Sequence, residues 1–137
     1  MKTAIKACLV ALVTICAANA QTASKPALRS GISVKMPVAS HAVEVPAADQ
    51  QNAAVVSVTA DGRVFIGTRQ VETSALTSLT EGTVYVKADS RVPYQEILTV
   101  LDTLRGRPVV LLTAPGSNVE KGNIVPPYGV KVTLGER

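Results

Sequence analysis

The chain has 137 residues, of which 47% are hydrophobic and 3% aromatic, with a formal net charge of +4. This length supports one domain with a real core and excludes two. The charge is too small, and the basic residues too scattered, for a nucleic-acid surface.

Lys2 and Lys6 precede an apolar run from Ala7 to Ala18 that is interrupted only by Thr14, and Ala18-Asn19-Ala20 has the small-x-small form of a cleavage site. Residues 1–20 therefore read as a secretory signal, with Gln21 as the mature N-terminus. The alternative is an uncleaved anchor, although the run is shorter than the roughly 20 apolar residues that span a bilayer. Neither Cys8 nor Cys16 sits in a lipoprotein signal. Both leave with the signal, so no disulfide is expected in the oxidising compartment beyond. Loss of Lys2 and Lys6 takes the basic count from 14 to 12 against 10 acidic residues, a net charge of +2.

Residues 21–52 are rich in Ala, Ser and Pro, with Pro26, Pro37 and Pro46 spaced through them, and read as an extended linker. Within them Gly31 to Ser40 alternates like a strand. It is either a spacer or a segment that adds to a sheet or a partner, with Val34, Met36 and Pro37 as the residues concerned.

Residues 53–137 are expected to form the folded unit. Val56-Ser57-Val58-Thr59 and Arg63-Val64-Phe65-Ile66 flank Ala60-Asp61-Gly62, a hairpin signal that predicts a type I′ turn. Gly67 breaks the second strand. Val71 to Leu79 reads as a short helix starting near Glu72 or Thr73 and ending by Gly82. Val84 and Val86 alternate with polar neighbours, as a half-buried strand requires. Pro93 suits the first turn of a helix, and Tyr94, Ile97, Leu98, Leu101 and Leu104 repeat at helical spacing. Gly106 stops that helix and Pro108 prevents its continuation. Val109 to Leu112 is a short apolar run suited to a strand covered on both faces. A turn cluster at 114–118 and a loop to Pro127 precede a last alternating strand, Tyr128 to Leu134.

Strand, helix and strand of these lengths predict a parallel crossover unit. The expected fold is α+β, a two-layer sandwich with a mixed sheet and two helices on one face, in the order ββαβαβ plus a late strand. Its core should be aliphatic: Val56, Val58, Val64, Ile66, Leu76, Leu79, Val84, Val86, Ile97, Leu101, Leu104, Val110 and Leu112.

Catalysis is poorly supported. His41, the single histidine, lies in the linker. The mature chain has no thiol, no G-x-S-x-G elbow and no phosphate loop, so no catalytic residue, metal or cofactor is expected. Glu96 and Asp102 point in different directions on one helix and do not make a glycosidase pair. Asp61 and Asp89 could together offer oxygen ligands. The plainer reading is that Asp61 shapes a turn and that Asp89 or Ser90 caps the following helix. Binding is better supported. The loop from Lys87 to Tyr94 lies at the carboxyl end of a parallel strand, where crevices form. Lys87, Asp89, Arg91 and Tyr94 are its candidates. Arg91 could face a carboxylate. Tyr94 could stack on a ligand or belong to the core. An edge strand carrying Tyr128, Val130 and Val132, or part of the hairpin, could pair with a second chain.

Val84-Tyr85-Val86-Lys87-Ala88-Asp89, then Val92-Pro93-Tyr94, then Ile97 through Asp102-Thr103-Leu104-Arg105 resembles the periplasmic domain of the ExbD/TolR family. In that family a strand ends in an alanine–aspartate pair. A proline–tyrosine or similar pair then opens a helix that carries a late aspartate. The resemblance covers roughly Gly31 to Thr113. It implies a periplasmic, non-enzymatic component of an energy-transducing envelope complex of TonB or Tol type, acting as a homodimer. The partners implied are a proton-channel protein of the ExbB/TolQ type and a TonB/TolA-like protein. Family members begin with a membrane helix bearing one aspartate. Here no acidic residue precedes Glu44, so the group that would feel the proton gradient is missing. The second expectation is accordingly a soluble accessory module that binds a peptide strand or peptidoglycan.

Overall fold

The computed structural model describes residues 30–79, 82–116 and 126–134. The proposed signal, residues 21–29 and residues 117–125 of the late loop lie outside them. Strands β1 (Val43–Glu44), β2 (Ala54–Val58), β3 (Val64–Ile66), β4 (Arg69–Val71), β5 (Val84–Ala88), β6 (Val109–Thr113) and β7 (Tyr128–Val132) form one mixed sheet. Their order across it is β1-β7-β6-β5-β2-β3-β4. One α-helix, α1 (Tyr94–Thr103), and two 3₁₀ turns, Pro46–Asp49 and Thr73–Ser78, complete an α+β fold. Two short strands, β1 and β4, stand outside the expected order, and the first expected helix is a 3₁₀ turn.

β2 and β3 are antiparallel, with Val58 opposite Val64. The turn between them is not type I′, which needs positive φ at both central residues. Gly62 has φ +80, and no non-glycine residue has positive φ among the described residues. Gly62 N–H donates to the Thr59 carbonyl (2.9 Å), and Thr59 N–H donates to the Arg63 carbonyl (3.0 Å). This is a tight turn followed by a left-handed glycine, the form that closes a three-residue loop. Gly67, with φ +63, sits first in the two-residue link from Ile66 to Arg69. A glycine there suits a type II′ hairpin, and β4 results.

The stretch after β4 is too short to offset the cost of starting an α-helix and folds as a 3₁₀ turn, Thr73–Ser78, whose hydroxyls bond its own carbonyls. Thr77 Oγ1 donates to the Ser74 carbonyl (2.8 Å) and Ser78 Oγ to the Ala75 carbonyl (2.6 Å). With Leu76 its one fully buried side chain, the segment stays a 3₁₀ turn.

β5 runs parallel to β2 on one side and to β6 on the other, which places it in the middle of the sheet. α1 links β5 to β6. Pro93 is its N-cap residue rather than part of its first turn. The buried face centres on Ile97 and Leu104, flanked by Val100 and Leu101. Tyr94 and Leu98 lie about 60° and about 100° further round from Ile97. Tyr94 is therefore not core: it is 76% exposed, and Leu98 is also exposed. Between this helix layer and the sheet, Val56, Val58, Val64, Leu76, Val84, Val86, Val100, Leu104 and Val109 pack together.

The second face of the sheet is also covered in part. Tyr85, Val110 and Leu112 are buried there beneath Ala48, with Met36, Val45 and Ala53 packed around them. The stretch expected as extended linker thus contributes β1, a 3₁₀ turn and a cover for this face. β1 is fastened to β7 through Val43↔Gly129 and Glu44↔Tyr128, and the Tyr128 hydroxyl donates to Glu44 Oε1 (3.1 Å).

The core assignment is tested by two truncations on α1. Leu104→Ala should lower the unfolding free energy by about 2–5 kcal/mol. Leu98→Ala, on the same helix but exposed, should change it by less than about 1 kcal/mol. Urea unfolding monitored by circular dichroism measures both.

Candidate functional site

β5 ends at Ala88, and the next residue is fixed by the sheet itself: the Asp89 N–H donates to the Val58 carbonyl (2.9 Å). This aims the Asp89 carboxylate into the crevice at the ends of the parallel strands, where the residue is 4% exposed. Four donors meet it. Oδ1 accepts from the Arg91 backbone N–H (3.0 Å) and Arg91 Nε (2.9 Å). Oδ2 accepts from Arg91 Nη2 (3.0 Å) and the Lys35 backbone N–H (3.1 Å). The Arg91 guanidinium and the two backbone N–H groups hold the carboxyl well below the usual carboxylate range, outweighing the opposite effect of burial. The same pairing raises the Arg91 guanidinium above its ordinary value.

Asp89 is therefore not a helix cap. α1 starts at Tyr94 with no side-chain cap bond, and both Asp89 oxygens are committed to Arg91 and Lys35. Asp61 does shape its turn: it accepts from the Thr59 hydroxyl and from Arg63 Nε (2.6 Å). Each of the two carboxylates considered as a ligand pair thus has an arginine of its own.

The bond to Lys35 fastens a strap. Ser90 N–H donates to the Lys35 carbonyl (2.7 Å), and Ala114 N–H to the Pro37 carbonyl (2.8 Å). Val38 bridges Ala114 in parallel fashion. Residues 35–38 thus cross the carboxyl ends of β5 and β6. The alternating segment is not a strand of the sheet; it touches it through this one bridge and the backbone bonds of Lys35 and Pro37.

Strap, strand ends and the start of α1 frame a groove of about 440 Å³. Pro37 and Ala39 form one wall and Tyr94 and Ile97 another, with Leu111, Thr113 and Val130 lining the sheet side. Its walls are mostly apolar. Thr113 is 6% exposed, and its hydroxyl has no hydrogen-bond partner among the described residues. Two of its lining side chains are large, apolar and exposed: Tyr94 at 76% and Val130 at 38%. Such a group on one surface marks a place for an apolar partner.

The expected site residues divide between the faces. Asp89, Tyr94, Pro37 and Val130 line this groove. Lys87 and Met36 line a second cavity of about 280 Å³ on the opposite face, together with Tyr128. Arg91 braces Asp89 with an exposed side chain, Val132 packs against the core and Val34 is half-buried. β7 is paired along one side by β6, and β1 covers Tyr128 and Gly129 on the other, so its outer side is open only from Val130 onward. His41 is exposed in a turn. Sequence reasoning missed Thr113 and the Lys35 N–H. The Asp-x-Arg spacing was the visible trace of the hub, but nothing local pointed to Lys35.

A family model described as biopolymer transport protein ExbD/TolR matches residues 5–116. The chain belongs to the ExbD/TolR family. The match takes in the apolar N-terminal run, the strap, the central strands and α1, and it ends before β7. No individual curated protein matches the chain.

Because the folded state holds the Asp89 carboxyl low, its stabilising effect is complete above the ordinary carboxylate range and fades as pH falls below about 4. Asp89→Asn should lower the thermal midpoint at neutral pH by about 5 °C or more. The gap between the two proteins should narrow from pH 5 to pH 2.5. Thermal unfolding across that range checks both the size and the sign.

Proposed function

We propose that this chain is a periplasmic component of an energy-transducing envelope complex of the TonB or Tol type, working by binding rather than by catalysis. Membership of the ExbD/TolR family supports the transport role. The observation that carries the binding role is the apolar groove at the ends of β5 and β6, with the exposed side chains of Tyr94 and Val130 in its lining. A TonB/TolA-like protein or an extended peptide is its intended occupant. A proton-channel protein of the ExbB/TolQ type is the membrane partner, and the complex contains this chain as a homodimer.

Residues 1–20 deliver the chain to the envelope as a cleaved signal or an anchor. The start of the family match at residue 5 supports the anchor. Among the described residues no helix is long and apolar enough to cross a membrane. The second reading, an accessory module that binds a peptide strand or peptidoglycan, draws on one feature: the absence of any acidic residue before Glu44, and with it of direct proton coupling.

Affinity capture in mild detergent separates the two. A transport component brings down a multi-span membrane protein. An accessory module instead sediments with purified sacculi and is released by salt. Tyr94→Ala, at an exposed position in the groove lining, should cut partner recovery about tenfold, or ~1.4 kcal/mol, without moving the unfolding midpoint. Unchanged recovery with Tyr94→Ala would remove the groove from the account.

A further inference from the structure

Side chains along β6 alternate between the two faces of the sheet. Val109 and Leu111 pack with the helix layer, and Val110 and Leu112 belong to the core on the opposite face. Thr113 continues the odd series, which sets it on the sheet side of the groove with Leu111 and Val130. As the last residue of the strand it also borders the smaller cavity of the opposite face. It is 6% exposed, and its hydroxyl has no hydrogen-bond partner among the described residues. A buried hydroxyl left unpaired is destabilising, and valine has nearly the same shape without that defect. Packing alone therefore gives no reason for a hydroxyl here.

The other polar chemistry of the lining is engaged. Asp89 is its one charged residue among the described residues, and each of its oxygens accepts two hydrogen bonds within the chain. No charge is left to pair with an ionic occupant. Pro37, Ala39, Ile97, Leu111 and Val130 make the walls apolar. The occupant that fits is neutral, apolar along its body, and carries one hydrogen-bonding atom at its tip. Among protein side chains that description is tyrosine. The exposed Tyr94 ring in the lining offers it a face to stack on.

We infer that Thr113 is the polar anchor of the groove, and that a partner protein seats a tyrosine ring there with its phenol hydroxyl bonded to Thr113 Oγ1. Both hydroxyls donate and accept. The threonine hydroxyl moves among staggered positions by rotation about χ1, so the bond forms without displacing β6. Phenylalanine, the same ring without the hydroxyl, leaves Thr113 unpaired and binds less well. The inference rests on the reading of the groove as a binding site and adds what selects its occupant.

The test titrates the full chain in mild detergent with N-acetyl-tyrosinamide and, separately, with N-acetyl-phenylalaninamide, followed by the amide signals of Thr113 and Tyr94. The native chain should bind the tyrosine compound at least about fivefold more tightly. Thr113→Val should bring the two affinities within about twofold of each other without lowering the unfolding midpoint. Thr113→Ser, which keeps a hydroxyl, should retain the preference. If valine costs β6 its hydrogen-exchange protection, Thr113→Ala takes its place. Equal affinities in the native chain, or a preference that survives loss of the hydroxyl, overturn the anchor and leave the groove standing. The anchor is also overturned if neither compound shifts these amides, and partner capture with Tyr94→Ala then decides separately whether the groove binds at all.

Discussion

Burying a carboxylate is unfavourable unless its charge and lone pairs are met. At the end of the central strand the Asp89 carboxylate is met on both oxygens, by the Arg91 side chain and backbone and by the backbone of Lys35. That requirement organises this end of the molecule. It bends the chain after β5 into a loop closed by Arg91, and it draws in a residue 54 positions earlier. Once Lys35 is held, Pro37 and Val38 reach Ala114, and the strap crosses the strand ends. The groove exists because the strap is there to form one wall.

This links the sheet to binding. A parallel arrangement of β2, β5 and β6 leaves strand ends open on one side, and such openings are where α/β sheets place their ligands. Here the opening is lined by apolar side chains, with Tyr94 and Val130 exposed among them. The charged groups nearby are engaged in holding the frame. The chemistry is that of an apolar contact surface with a rigid support, which agrees with a family whose members work in transport complexes.

Most of the sheet was legible because it depends on local pattern. Alternation gave β2, β3, β5 and β7. The Asp61-Gly62 pair gave the hairpin, though the left-handed residue is Gly62 alone. Helical spacing gave α1, but not the rotation of its face: Val100 is buried and Tyr94 is not, because sheet contacts centre the helix on Ile97 and Leu104. The segment after β4 was misjudged because helical spacing of Val71, Ala75 and Leu79 covers only about two turns, and Leu76 is the one fully buried side chain that could hold them. Of the site, Asp89, Arg91, Tyr94 and Pro37 were visible as residues. Their arrangement was not, since the contact between Lys35 and Asp89 is long-range and uses a backbone N–H that any residue would supply.

The most direct measurement is amide hydrogen exchange at Ser90 and Ala114, whose N–H groups hold the strap, in the native chain and in Asp89→Asn. The account predicts that both amides are protected in the native chain. In the variant both should exchange at least about tenfold faster, equivalent to ~1.4 kcal/mol, while amides in the middle of β5 keep their protection. Unchanged protection at Ser90 and Ala114 in Asp89→Asn would contradict it, because the strap would then be held by something other than the buried carboxylate.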